Sequence, residues 1–277
     1  MGLSPGRPGT HDREVFDSHC HLDLPVFDPD RDAVLARARA VGVQAILLPG
    51  IRPNTWAGLR ELAATVLSPA LYPAIGVHPQ IVAHLDPAER VLATDPEALA
   101  EHARAAGAVA IGECGLDGQS EAPEDQEAVF RAHIRAAVEL GLPLVIHVLR
   151  AHHLAPKVLA EEGAAAVGGV LHSYSGGPGL LSVYADLGFA FSFAGPLTYP
   201  GARRPTLAAA EVRPELLLVE SDAPDQSPHS QRGQRNEPAF LPETLEALAS
   251  VREQTPAQIA LLTTENARRL FKLGPPA

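Results

Sequence analysis

Apolar positions along this chain follow two alternating rhythms. Short dense runs occur at VFDSH (15–19), AILLPG (45–50), LYPAIGV (71–77), AVAIGE (108–113), LPLVIH (142–147), GGVLH (168–172), FAFSFAG (189–195) and LLLVES (216–221). Runs of this kind read as strands buried on both faces. Between them, stretches at 31–41, 54–67, 96–106, 124–140, 152–162, 177–187 and 205–212 carry Ala, Leu, Glu and Arg at helical spacing. Strands joined through helices pair in parallel, and eight of them predict an α/β fold of the closed (β/α)8 TIM-barrel type. An open doubly wound sheet would show fewer strands and a G-x-G-x-x-G after the first, which is missing here. Two further helices, at 240–253 and 256–271 with a break before Pro256, add to the C-terminal end. The long aperiodic segment 223–238 follows the eighth strand, on the face where barrel active sites form, so a functional role is expected of it.

Composition narrows the class. With 277 residues, 46% of them hydrophobic, the chain can bury a full core, and a single barrel over 15–273 is expected. Residues 1–14, rich in Gly and Pro, read as a disordered lead-in. No uncharged apolar stretch reaches the roughly 18 residues of a membrane span, and the start lacks the regions of a signal peptide. A cytoplasmic protein with no membrane association and no obligate protein partner is predicted. The formal charge of −11 argues against a protein that coats nucleic acid, but not against an enzyme whose positive charge is local.

The chemistry concentrates at the ends of the apolar runs. His19 and His21 in EVFDSHCHLD are spaced to share a strand face and grip one ion. Glu113, His147, His172 and Asp222 end the fourth, fifth, sixth and eighth runs, at one end of the predicted barrel. Any one of them alone could be a hydrogen-bonded core residue or a turn cap; together they form a ligand set. Four imidazoles and two carboxylates suit two divalent cations, with Zn, Mn or Fe favoured over Mg by the nitrogen donors, although availability can override preference. Glu113 is the expected bridge, since the two lysines, Lys157 and Lys272, lie at no strand end. Cys20 and Cys114 each adjoin a ligand and by alternation should pack outward. Glu220, two residues before Asp222, is expected to orient a ligand histidine. His78 could contact phosphate or a further ion, or cap its turn. Arg203, Arg204, Arg232 and Arg235 are candidates for binding phosphates, Arg232 and Arg235 foremost.

These motifs carry a resemblance. FDSHCHLD, AIGVHP, AIGECGLD, LPLVIH, GVLHSYSG, ESDAPD, RGQRNEP and TTENARRLF, over nearly all of 15–272, resemble the TatD-like deoxyribonuclease family of metal-dependent hydrolases. The resemblance implies His19, His21, Glu113, His147, His172 and Asp222 as metal ligands, and nuclease chemistry, commonly 3′→5′ on single strands with Mg or Mn. Leu149 stands where many members have arginine, Gly118 where an aromatic residue is common, and Ser221 where threonine is frequent. The combined reading is a hydrolase of single-stranded DNA or RNA in which Asp222 takes the proton of the attacking water. A hydrolase of a small-molecule amide, lactone or aminoacyl ester is the alternative, and a non-catalytic binding barrel the third.

Overall fold

The computed structural model describes residues 14–274, so nearly all of the expected lead-in lies outside the described residues. Eight strands follow one another around a single sheet in chain order: β1 (Val15–Asp17), β2 (Val43–Pro49), β3 (Ala70–Ile75), β4 (Ala110–Asp117), β5 (Leu144–Leu149), β6 (Gly169–Leu171), β7 (Phe189–Phe193) and β8 (Leu217–Val219). Each pairs with the next in parallel. The ring closes just beyond β1 and β8. There the Ser18 N–H and hydroxyl donate to Val219 O (3.1 and 2.9 Å), Asp222 N–H to His19 O (2.9 Å) and His21 N–H to Ala223 O (2.8 Å). This is the (β/α)8 barrel expected from the alternation.

Around it run α1 (Arg31–Ala40), α2 (Trp56–Thr65), α3 (Pro87–Thr94), α4 (Pro96–Ala106), α5 (Pro123–Leu140), α6 (Ala155–Glu161), α7 (Leu181–Ala185) and α8 (Arg203–Glu211), followed by α9 (Leu241–Val251) and α10 (Pro256–Leu270). Helix α3 was not anticipated, yet its start is written in the chain. The Asp86 carboxylate accepts from Glu89 N–H (2.9 Å) and Glu89 from Asp86 N–H (3.1 Å), a capping box with Pro87 at the first helical position. Conversely, the stretch expected as helix at 177–187 begins as a short 3-10 turn, Pro178–Leu180, before α7. None of the described helices is long and apolar enough to cross a membrane.

The barrel interior is plugged by Phe16, Ala45, Leu47, Ala74, Ala110, Val145, Val170, Ala190 and Leu218, one cluster with Ala267 of α10 and with Phe271 just past its end. Alanines at four of those strand positions leave room for Phe16, whose ring stacks on Phe271 (centroids 5.9 Å) and Tyr72 (5.7 Å). The larger apolar cluster lies between strands and helices and contains both cysteines. Polar chemistry is thereby left to the opposite mouth.

Candidate metal centre

Strand alternation carries the inner face from plug to chemistry. Val145 is followed two residues on by His147, Val170 by His172, Ala190 by Ser192, and Leu218 by Glu220. In β4 the phase must change, and a register shift between Gly112 and Cys114 changes it. Glu113 thereby joins the histidines, while Cys114 packs into the outer apolar cluster. Gly115 makes the close approach possible: at φ +139° a Cβ there would sit 2.1 Å from His147 O. His19 and His21 lie beyond β1, which ends at Asp17, so the bonds closing the barrel rather than the strand itself set their direction. Their Nε2 atoms are 3.1 Å apart.

The Glu113 carboxylate is fully buried and surrounded by imidazoles: His172 Nε2 at 2.7 Å, His78 Nε2 at 3.0 Å, His19 Nε2 at 3.1 Å, His147 Nδ1 at 3.2 Å and His21 Nε2 at 3.4 Å. Neither of its oxygens has a hydrogen-bond partner in acceptable geometry. Buried carboxylates are otherwise satisfied, and a converging set of nitrogen and oxygen donors is what a divalent ion satisfies. The residues present therefore fit a metal. Three groups bring ligand atoms within 4.8 Å of one another: His19, Glu113 and His172; His19, His21 and Asp222; and His78, Glu113 and His147. Burial alone would raise the Glu113 pKa, but His172, His78 and His19 outweigh it and hold the group well below the carboxylate range.

Around this core the supporting bonds are specific. Glu220 faces His172 Nδ1 (3.4 Å), accepts Ser173 N–H (2.6 Å) and takes a short bond from the Ser192 hydroxyl. Asp222 turns Oδ1 toward His19 and His21 (3.4 and 3.7 Å), and its Oδ2 accepts from Gln226 Nε2. Burial raises Asp222 to about 7, against the pull of His172 and His21. Asp222, Ser173 and Gln226 all hold positive φ (55°, 42° and 53°), a strained cluster of the kind found at functional sites.

Two participants escaped the sequence reading. Asp117 Oδ2 lies 3.4 Å from His147 Nε2 and accepts from Gln80 Nε2 (2.8 Å). The expected fourth strand stopped at Glu113, whereas β4 runs on to Asp117. Counting by two from Glu113 through Gly115 would have found it. Asp17 accepts from Ser221 N–H (2.9 Å) and Oγ (2.6 Å), tying the segment bearing His19 to the one bearing Asp222. The hydroxyl that this tie needs is present although serine replaces threonine.

His78 caps its turn, Nδ1 accepting Gln80 N–H (3.1 Å), and turns Nε2 toward Glu113. The arginines fare differently. Arg235 is engaged elsewhere, its guanidinium clamped on both Asp30 oxygens (2.8 Å each), bonded to Val26 O and resting 4.6 Å above Phe27. Its expected phosphate contact gives way to fastening the 223–238 segment against α1. Arg232 is exposed, 5.6 Å from the Tyr199 ring centroid. Arg203 and Arg204 open α8, exposed, rather than lying in the loop before it.

A barrel that gathers histidines and carboxylates at its C-terminal mouth defines the class of metal-dependent hydrolases. Within that class the chain belongs to the TatD related DNase family, whose sequence model matches residues 16–272. It is 38% identical over 262 residues to the uncharacterized metal-dependent hydrolase YabD of Bacillus subtilis, covering 94% of this chain and 100% of that one. To the 3′-5′ ssDNA/RNA exonuclease TatD of Salmonella typhimurium it is 33% identical over 273 residues, covering 94% and 99%. Among solved structures, the TatD homologue YjjV of Escherichia coli superposes with a TM-score of 0.85 at 28% identity, over 94% of this chain and 98% of that one.

Proposed function

We propose that this hydrolase is a 3′→5′ exonuclease of single-stranded DNA, acting also on RNA, with His19, His21, Glu113, His147, His172 and Asp222 holding two divalent ions and Glu113 shared between them. The observation that carries the reading is the Glu113 carboxylate, fully buried among five imidazoles with both oxygens unpaired. Zn, Mn or Mg suits the donor set. When bound, the ions supply Lewis acidity, acidifying water and offsetting charge that builds on the phosphoryl oxygens.

The remaining work falls to the chain. Asp222, its Oδ1 turned toward His19 and His21 at the heart of the centre, is the carboxylate offered to the attacking water as general base. It takes a proton from the attacking water as the bond from phosphorus to the 3′ oxygen of the preceding nucleotide breaks, releasing a 5′-nucleotide. Gln226 fixes the second Asp222 oxygen so that the first stays turned to the centre. Glu220 and Asp117 stand 3.4 Å from the far nitrogens of His172 and His147, placed to set the orientation of both rings. The similarity to a relative named as a 3′-5′ ssDNA/RNA exonuclease supports the choice of substrate. Metal-replete protein incubated with end-labelled single strands, duplexes, RNA and a panel of carboxylic esters and lactones tests it. Stepwise release of 5′-mononucleotides from the 3′ end is expected; turnover of esters alone, with every nucleic acid untouched, would overturn it.

A further inference from the structure

Beside the candidate centre lies a pocket of about 270 Å³ that shares His147 and His172 with it. The rest of its wall is chiefly apolar, with Leu149, Tyr174, Phe193 and Leu197, while Ser173, Ser175 and Gln226 form a polar edge. Tyr174 is held rigidly: its hydroxyl donates to Gly177 O (2.9 Å), and its ring meets Phe191 and Phe193 edge-on, with centroids 4.9 and 6.3 Å away. Gly176 allows the covering loop to pass, since a Cβ there would come within 2.5 Å of the tyrosine oxygen. Among the described residues, no lysine or arginine lines the space. A phosphate therefore has no partner inside it, whereas an uncharged flat group does.

Resting on the phosphodiesterase reading, we propose that this pocket seats the base of the nucleotide being released. Its volume lies just below the roughly 300–1,000 Å³ of ordinary small-molecule sites, room enough for a nucleobase. The apolar and aromatic wall offers the stacking and dispersion contacts that any base can use. At the polar edge, Ser173 Oγ donates to Gln226 Oε1 (2.6 Å), and Gln226 Nε2 donates to Asp222. Those groups are already committed to one another, and the Ser175 hydroxyl adds one donor at the exposed rim, so few donors remain to read base identity. The pocket thus demands a base without choosing among the four.

The test compares two diesters that share the p-nitrophenolate leaving group, thymidine 5′-(p-nitrophenyl phosphate) and methyl p-nitrophenyl phosphate, on metal-replete full-length protein. The nucleoside ester should be favoured in kcat/KM by about 10- to 100-fold. The adenosine, guanosine and cytidine esters should fall within roughly fivefold of the uridine ester in a matched ribonucleoside series. Leu197→Trp, which fills the pocket, should bring the thymidine-to-methyl ratio close to one. A ratio near one in the unaltered protein overturns the base assignment and leaves the phosphodiesterase reading standing. A ratio that survives Leu197→Trp places the base elsewhere and overturns it too. If neither diester is cleaved, the phosphodiesterase reading itself falls and takes the assignment with it.

Discussion

Glu113 faces more imidazole nitrogens than two carboxylate oxygens can accept hydrogens from, and its unpaired oxygens make its charge and shape separable by mutation. Glu113→Gln keeps the volume but removes the anion that two ions can share. Metal content should drop from two per chain to one or fewer, and kcat by about 100-fold or more, while circular dichroism shows the barrel intact. Elemental analysis of the purified variant checks the first figure; two retained ions with full activity would end the bridging role. Asp222→Asn should likewise cost about 100-fold in kcat if this group is the base. The cysteines set the opposite expectation. Cys20 and Cys114 sit in the outer apolar cluster, with only long sulfur contacts to Ala223 O (3.7 Å) and Val145 O (3.8 Å). Changing both to serine buries two hydroxyls in an apolar layer and should destabilise by about 1–3 kcal/mol without altering metal stoichiometry. Loss of an ion from a folded double variant would place a thiol at the centre instead.

At the scale of elements, α5 carries a titration that the centre does not share. His133 on this helix is fully buried, its Nδ1 is bonded to Val129 O (2.8 Å), its Nε2 has no partner, and burial lowers its pKa from 6.5 to about 4. Between those values the unfolded chain binds a proton that the folded one refuses. Its contribution is therefore complete above pH 6.5 and is lost as pH falls through about 4, up to about 3 kcal/mol in all. His133→Phe should lose less stability than the unaltered protein between pH 7 and 4.5 in urea titrations; parallel decline of the two would show that His133 is not responsible. The elements themselves were legible to different depths. Strands that are continuous apolar runs declared themselves, because burial on both faces leaves no polar position to confuse the pattern. The phase of β4 and the end of β1 were not legible, because both depend on pairing with a neighbour: a register shift beside β5 and the bonds that close β1 onto β8. The candidate residues are brought together all the same, because residues two apart keep a common direction past a strand end. Arg235 was misread for the same reason, since only the fold brings Asp30 to it. Arg235→Gln should lower Tm by roughly 2–4 °C while leaving KM for a small diester within about twofold, as expected of a fastening residue.

The whole molecule constrains how a polymer can reach the centre. His19 and Glu113 are fully buried and His172 and Asp222 nearly so, while His147 and His78 are the more open members, so the reacting groups lie below the mouth rather than on a surface. The 223–238 segment is fastened over one side by Arg235 to Asp30, by Asn236 to Ser221 O and Asp225 O (2.7 Å each), and by Tyr199 to Ser227 O (2.9 Å). A strand end can thread into such a recess; the middle of a strand must bend sharply to do so, and a duplex must first unpair. The net charge of −11 adds repulsion for backbone running away from the site, and with Arg235 committed to Asp30 few phosphates can be neutralised. Progressive shortening of linear single strands is expected, with covalently closed single-stranded circles resistant and duplexes slower. Plots of log affinity against log salt for a metal-replete, inactive variant should show a slope corresponding to about two phosphates or fewer. Circles cut as fast as linear strands of the same sequence would overturn entry by the end, and a steep salt slope would reveal more phosphate contacts than entry by the end allows.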